Sequence, residues 1–511
     1  MNVRPGSSPG WRWIVLAAAA SVVAGAVVAG CGGGGGDSEA SWLKPNADDA
    51  NTRVATSSID SGNIASLGIV STEPLSGRGP FGFFAATPLI DEDGVAYVQD
   101  LASNVFAYDL DSGEKLWEVA YDKPVIGPNG LAYEDGTVYG VTDKDVFAID
   151  ADSGQETWKR NVLTGEFGIA EGQNLGLTIQ PAVQEGVLYL SEAAKTGGGN
   201  ILALDAADGS ELWRFDTTDQ PEADKTPSGG AWNTPALDHE GNVYFGVGNG
   251  YYSHNTPVEF QQARLYTDSL LKLNAETGEL DWYYQALPND FWDWDLQLSP
   301  VLVEDDGRNL VIVGGKMGIV YAIDRDSGEL VWKTPVGTHN GHDNDSAAQL
   351  ESALDLPEIP FDVFPGPYGG VETNMAVSDG VVYAAVVNLP GHVKTPADLD
   401  KPVLPIDFTE GTGAIVALDL ATGKVKWQRE IDQMPFGAMT VSNDLVFTTT
   451  FDGMLRAYST MDGTEVWTSE LGAGTNSPLA IAGDTLVAAA GFPQGADQKA
   501  QLVIYKLNAE R

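Results

Sequence analysis

The chain has 511 residues, with 72 Asp and Glu against 28 Lys and Arg, giving a formal net charge of −44. The acids are spread along the sequence and no basic stripe exists to displace counterions from a phosphate backbone, which excludes nucleic acid as a partner. The single cysteine, Cys31, leaves no means of forming an internal disulfide or a CxxCH haem site.

In chain order, the first element is a targeting segment. Arg4 and Arg12 precede the apolar run WIVLAAAASVVAGAVVAG, which closes on V-A-G-C. That ending resembles the lipobox of bacterial lipoproteins. The resemblance implies lipidation of Cys31, a signal peptide over residues 1–31, an extracytoplasmic location, and membrane attachment through the lipid alone. The following GGGGGDSEAS has the composition of a flexible tether, so residues 32–50 are expected to be a linker and 51–511 the folded domain.

Beyond the tether one pattern recurs: an apolar strand ending in Asp, Asn or Ser, a turn containing Gly, and a returning strand with Trp. The copies are VFAYDLDSGEKLW ending at Trp117, VFAIDADSGQETW at Trp158, ILALDAADGSELW at Trp213, LLKLNAETGELDW at Trp282, VYAIDRDSGELVW at Trp332, IVALDLATGKVKW at Trp427 and LRAYSTMDGTEVW at Trp467. Alternating β-branched residues and D-x-x-x-G turn chemistry make each copy a hairpin. Segments between them, such as GLAYEDGTVYGVT and PAVQEGVLYLS, supply a second hairpin, and four strands per repeat make a propeller blade. The terminal QLVIYKL begins an eighth blade, whose outer strand is expected from NIASLGIVSTEP near the N-terminus. The fold class is therefore all-β, an eight-bladed propeller closed by pairing of its two chain ends. A Trp at one place in every copy is read as packing between blades.

Four stretches stand apart from the repeat: GGAWNTPALD, VYFGVGNG, PNDFWDWD and VGGKMGIVYAIDR. With the tryptophan-docking repeats, they resemble the quinoprotein alcohol and sugar dehydrogenases, eight-bladed propellers that bind pyrroloquinoline quinone (PQQ). By that resemblance Trp232 is the floor under the quinone and Lys316 contacts its carbonyls. Asn249 is a metal ligand, and Asp293 is the general base and a ligand. Asp295 is an additional ligand where the metal is a lanthanide, and Glu192 in LYLSEAAKTGGGN is the remaining metal ligand. The resemblance implies calcium or a lanthanide as the metal, with a site that binds none as the remaining alternative. Chemically, a carboxylate can take a hydroxyl proton, a hard cation polarises a carbonyl, and a lysine balances the charge gained on reduction. Two departures accompany the match. The adjacent cysteines that cover the quinone in the alcohol dehydrogenases are absent from KPVIGPNGLAYEDG, and Asn129 stands where that family has Arg. In GGVETNMAV, Asn374 is the expected pocket residue. Trp292 and Trp294 are read as packing, and THNGHDND, carrying His339, His342, Asp343 and Asp345, as a solvated loop.

The expected activity is PQQ-dependent oxidation of an alcohol or sugar, with electrons passed to a separate cytochrome or membrane acceptor. The alternative is a non-catalytic propeller lipoprotein, because the repeats are also similar to those of a lipoprotein in outer-membrane β-barrel assembly.

Overall fold

The computed structural model describes residues 40–163, 174–194, 199–217, 229–250, 265–288, 290–345, 357–401 and 403–509. Cys31 lies outside them. Among the described residues eight antiparallel blades follow one another, each with four strands ordered from the innermost outward; the third carries an extra strand, Asn174–Gly176, and a separate two-stranded sheet pairs Phe361–Val363 with Gly391–Val393. Blade 1 is Leu89–Ile90, Val95–Gln99, Val105–Asp109 and Lys115–Val119. Blade 4 is Ala236–Leu237, Asn242–Val247, Ser269–Asn274 and Leu280–Gln285. Blade 5 is Val301–Asp305, Arg308–Val313, Ile319–Asp324 and Leu330–Pro335. In blade 8 the outer strand is Leu67–Pro74, paired with Gln501–Leu507 in the register Leu67↔Leu507 to Pro74↔Gln501, so the chain ends close the ring.

The sequence repeat has a packing cause. Each turn glycine has a positive φ, 69° at Gly154 and 72° at Gly209, which glycine adopts without steric cost. A second constraint comes from the neighbouring blade. A Cβ at Gly154 would lie 2.7 Å from the Trp117 indole, and one at Gly209 2.6 Å from Trp158. The indole N–H then donates to a carbonyl of the next blade: Trp117 to Ala151 at 2.8 Å, Trp213 to Ala275 at 2.9 Å, Trp332 to Leu420 at 2.8 Å. Gly and Trp therefore recur together because the indoles of blades 1 to 6 lie on the glycine of the following blade, burying the ring while satisfying its donor, whereas Trp467 of blade 7 packs against Tyr505 of blade 8.

The folded chain begins earlier than the expected boundary at residue 51. Trp42 is fully buried and pairs with Ile90 of blade 1. From there the segment crosses the inner strands in turn. Lys44 donates to the Val183 carbonyl, and Asp49, Ala50 and Thr52 accept from Leu237, Leu302 and Val377. Arg53 accepts from Val441, and Thr56 accepts from Gly483. The Arg53 side chain is completely buried and donates to the carbonyls of Met439 (2.7 Å) and Leu479 (2.9 Å), to Asn46 Oδ1 (2.8 Å), and to the hydroxyls of Thr440 (2.7 Å) and Thr87 (3.2 Å). Glycine and acid content suggested a tether, but that composition holds only for the part before residue 40.

Candidate active site

The segments that lead into the innermost strands converge on a cavity of about 420 Å³. Ala85–Thr87, Ile126–Pro128, Thr178, Gln180, Trp232–Thr234, Gln297–Ser299, Glu372–Asn374, Phe436, Asn476 and Pro478 all line it, so every blade contributes and the cavity lies on the propeller axis.

Blades 4 and 5 bring the predicted residues together. Val247↔Ser269 is the last pair of the second and third strands of blade 4, and one step beyond it the Asp268 N–H donates to the Gly248 carbonyl at 3.0 Å. Asn249 follows, buried, with its amide N–H on Asp295 Oδ1 at 2.7 Å and its Nδ2 on Asp293 Oδ1 at 3.1 Å. Gly248 has to be glycine, because a Cβ there would lie 2.4 Å from both the Trp232 ring and Asp295 Oδ1. That close approach fixes Trp232 as one wall of the cavity beside the carboxylates. Lys316, on the loop between the second and third strands of blade 5, bridges Asp293 Oδ2 at 3.2 Å and Asp295 Oδ2 at 2.6 Å.

The segment DFWDWD divides by hydrogen bonding. Asp290 Oδ1 accepts from the amides of Trp292 (2.7 Å) and Trp294 (2.8 Å), so Asp290 makes the Asx turn. Asp293, at φ 65°, is thereby turned into the cavity. Trp292 and Trp294 are buried, with the Trp294 indole donating to the Pro365 carbonyl at 3.0 Å. The THNGHDND segment is tied down rather than solvated. Asp345 Oδ2 holds both the Trp292 indole N–H and His342 Nδ1 at 2.8 Å, and His342 packs edge-on to Trp292. Its histidines pair with Asp343 and Asp345, which fixes the loop against the back of the site.

Three other positions depart from expectation or qualify it. Glu192 is buried in blade 3 with Arg214 Nη1 at 3.2 Å and Asn200 Nδ2 at 3.2 Å, an ion pair within its own sheet, and it does not line the cavity. Asn129 is fully buried, donates to the Leu177 carbonyl at 2.8 Å, and also does not line it. Gly127 and Pro128 take the cavity wall there instead. Asn374 does line the cavity, with its Oδ1 accepting from the Ser299 amide at 3.2 Å and its Nδ2 donating to Asn46. Among the described residues no three His, Cys, Asp or Glu side chains are grouped to hold a metal by themselves.

The electrostatics are dominated by buried acid. Burial pushes Asp293 up to about 7; Lys316 opposes the rise and Asp295 adds to it. Burial likewise raises Asp290 to about 7 against the Trp294 amide, and carries Asp268 well above its ordinary value, with Asp290 and Asp295 adding. Both Asp268 oxygens lack a well-formed hydrogen bond, and only the Asp290 N–H offers weak relief. Glu372, on the cavity wall, is raised to about 8 by burial, with Lys316 opposing, and its Oε1 has no hydrogen-bond partner. Sequence reasoning gave no role to Asp268, Asp290 or Glu372. Asp290 was legible as D-x-W-D-W, an Asx acceptor two and four residues ahead of its donors, whereas nothing local marks Asp268 or Glu372 as buried.

Residues 42–340 match the family of glucose/ethanol/alcohol dehydrogenase β-propeller domains. The chain belongs to that family. Residues 369–507 also match outer membrane protein assembly factor BamB. A quinohemoprotein alcohol dehydrogenase from Comamonas testosteroni is 27% identical over 503 residues, covering 85% of this chain and 69% of the relative. A polyvinylalcohol dehydrogenase from Sphingopyxis is 26% identical, with 82% of this chain covering 57% of the relative. A putative dehydrogenase, XoxF, from Paracoccus denitrificans is 26% identical over 83% of this chain and 82% of its own length. Among solved structures, the Comamonas testosteroni enzyme superposes with a TM-score of 0.78 at 23% identity, covering 92% of this chain and 81% of the other. A europium-containing methanol dehydrogenase gives 0.74 at 18% identity, covering 92% and 99%. BamB from Moraxella catarrhalis gives 0.54 at 12%, covering 87% and 99%. These likenesses show the shared propeller fold.

Proposed function

We propose that the protein is a PQQ-dependent alcohol dehydrogenase, extracytoplasmic and lipid-anchored through Cys31, that hands its electrons to a separate cytochrome or membrane acceptor. The observation that carries this reading is the convergence of Trp232, Asp293 and Lys316, from two adjacent blades, on one axial cavity, with Asn249 hydrogen-bonded to Asp293 behind its wall. The named relatives, quinohemoprotein and quinoprotein alcohol dehydrogenases, support it.

The residues present fit the cofactor. Trp232 offers a flat indole face in the cavity, and three buried polar atoms on its wall lack partners: Glu372 Oε1, Asn476 Oδ1 and Ser299 Oγ. Such atoms cost about 1–3 kcal/mol each until a polar ligand reaches them. They also fit a cation. Asp293 and Asp295 share the single positive charge of Lys316, so with both ionised a hard ion beside Asn249 and Asp293 would relieve the remaining negative charge. When bound, PQQ supplies the hydride-accepting quinone, and calcium or a lanthanide makes that quinone more electrophilic.

The protein's own part is to hold and move one proton. Asp293 must be ionised to take the proton of the substrate hydroxyl, and Lys316 at 3.2 Å favours that ionised form in a buried site. The Asn249 side-chain amide donates to Asp293 Oδ1 and directs Oδ2 toward Lys316. Trp232 excludes water from one side of the cavity.

The test is reconstitution of the full chain with PQQ and Ca²⁺ or La³⁺, following dye reduction with primary alcohols and glucose. Alcohol-dependent reduction, lost in Asp293→Asn, supports the reading. The BamB match over residues 369–507, and Lys316 being the one cation among the described residues of the cavity wall, favour a scaffold as the second reading. No uptake of PQQ with either ion would leave that one standing.

A further inference from the structure

The cavity has two unlike sides. Blades 3 to 5 line it with Thr178, Gln180, Asn233, Thr234 and Gln297, side chains that donate and accept hydrogen bonds. Blades 6 to 8 add, beside the polar Glu372, Asn374 and Asn476, a cluster of aromatic rings of which Phe451 is the hub. Its ring centroid lies 5.8 Å from Phe408, 5.4 Å from Phe436 and 5.3 Å from Phe492. Phe408 in turn lies 5.6 Å from Tyr368.

The blade pattern explains why these rings meet. Lys316, Phe451 and Phe492 each follow the second strand of their blade, Arg308–Val313, Leu445–Thr449 and Thr485–Ala490. That loop faces the axis in blades 5, 7 and 8. A phenylalanine at such a hairpin tip would normally meet water. Here the Phe451 N–H is held by the Met434 carbonyl at 2.9 Å, and its ring packs on the buried group Val387, Leu389, Met434 and Phe436. Phe408 comes from the short helical turn Phe408–Glu410 ahead of blade 6's third strand, and it remains 38% exposed, at the mouth of the cavity. At the other end, the Tyr368 ring lies 5.6 Å from Lys316 Nζ, which holds Asp293. The aromatic wall thus runs from the reacting carboxylate to solvent.

Resting on the dehydrogenase reading, we infer that the substrate is an arylalkyl alcohol, with its hydroxyl at Asp293 and its apolar body on the wall formed by Tyr368, Phe408, Phe451 and Phe492. A sugar placed there would set its hydroxyl groups against ring carbon, losing hydrogen bonds to water without replacement. An aryl group instead gains ring contacts and removes apolar surface from water.

Two measurements test this on the full chain loaded with PQQ and Ca²⁺ or La³⁺. In the first, kcat/KM is compared for cinnamyl alcohol, ethanol and glucose. In the second, calorimetry measures binding of 2-phenyl-2-propanol, a tertiary alcohol with no α-hydrogen to lose, with tert-butanol as the small control. Cinnamyl alcohol is expected to be the best of the three substrates. Phe451→Ala is expected to lower its kcat/KM, and the affinity for 2-phenyl-2-propanol, by about tenfold, ~1.4 kcal/mol. Ethanol turnover should stay within about threefold. Phe408→Ala, at the exposed mouth, should act in the same direction, and Phe451→Leu should recover part of the loss, which keeps the test sound if Phe451→Ala folds poorly. Preference for ethanol or glucose would overturn the inference, as would an equal loss for ethanol and cinnamyl alcohol, or loss of PQQ affinity in Phe451→Ala. If the loaded protein oxidises no alcohol, the dehydrogenase reading fails separately. Absence of 2-phenyl-2-propanol binding to that same protein then overturns the wall.

Discussion

Lys316→Met removes the one cation between Asp293 and Asp295. At the observed 3.2 Å, and with an effective dielectric of about 20, Coulomb's law gives roughly 5 kcal/mol of attraction to Asp293. Lys316 is shared with Asp295 at 2.6 Å and has its own burial cost, so only part of that sum appears as a shift. One pH unit, ~1.4 kcal/mol, is the least expected. Asp293 already sits at about 7 with Lys316 in place, so in the variant it should remain protonated to pH 8 or above. The assay is infrared titration of the carboxyl band in the cofactor-free protein, with Asp293→Asn subtracted from each. Stability provides a second readout whose sign follows from the raised value. A carboxyl raised above its unfolded pKa contributes fully below about 4, and the contribution disappears as pH rises through the folded value. Without Lys316 that loss runs to higher pH, so the melting temperatures of wild type and variant should fall in parallel between pH 5 and pH 6 and diverge from about pH 7 upward. An Asp293 that still titrates near or below 7 in Lys316→Met would refute the proposed coupling.

Three further outcomes follow from the geometry. Asp268→Asn removes a buried carboxyl with no well-formed partner and a raised pKa, so thermal melts should show stabilisation of about 1–3 kcal/mol at pH 8 and almost none at pH 4. Arg53→Met leaves the carbonyls of Met439 and Leu479 and the Asn46 side chain unsatisfied at the axis, and urea denaturation should show a loss of about 3–5 kcal/mol. Gly248→Ala forces a Cβ to within 2.4 Å of both Trp232 and Asp295 Oδ1, and it should weaken PQQ binding in equilibrium dialysis at least about tenfold while leaving the far-ultraviolet circular dichroism unchanged.

The fold was legible because its repeat is imposed twice over. Each of these turns needs a positive φ, and the indoles of blades 1 to 6 need a glycine beneath them, so Gly and Trp recur together and can be counted. The central four residues came from a different signal, the resemblance of their segments to the quinoprotein dehydrogenases, and the structure brings Trp232, Asp293 and Lys316 to one cavity with Asn249 on Asp293. What sequence could not show depends on tertiary burial. Glu192 has the right residue type near the right place, but Arg214, two strands away in the same sheet, takes its carboxylate. Asn129 stands in a cavity-edge loop, yet it turns to the Leu177 carbonyl. Residues 40–50, ASWLKPNADDA, carry no strand periodicity, and the hydrogen bonds to the inner strands reveal them as part of the ring. Phe451 lies in the turn TTTFDG, where a single aromatic gives no local sign that three others will meet it.

The central claim is that the axial cavity is a PQQ site whose carboxylate works on an alcohol. Equilibrium dialysis of PQQ against the full chain, with Ca²⁺ or La³⁺ and with Trp232→Ala as the comparison, tests it most directly. One PQQ bound per chain, with at least about tenfold weaker binding in Trp232→Ala, is the predicted result. Binding of no PQQ with either ion, or equal binding in the two proteins, would contradict it.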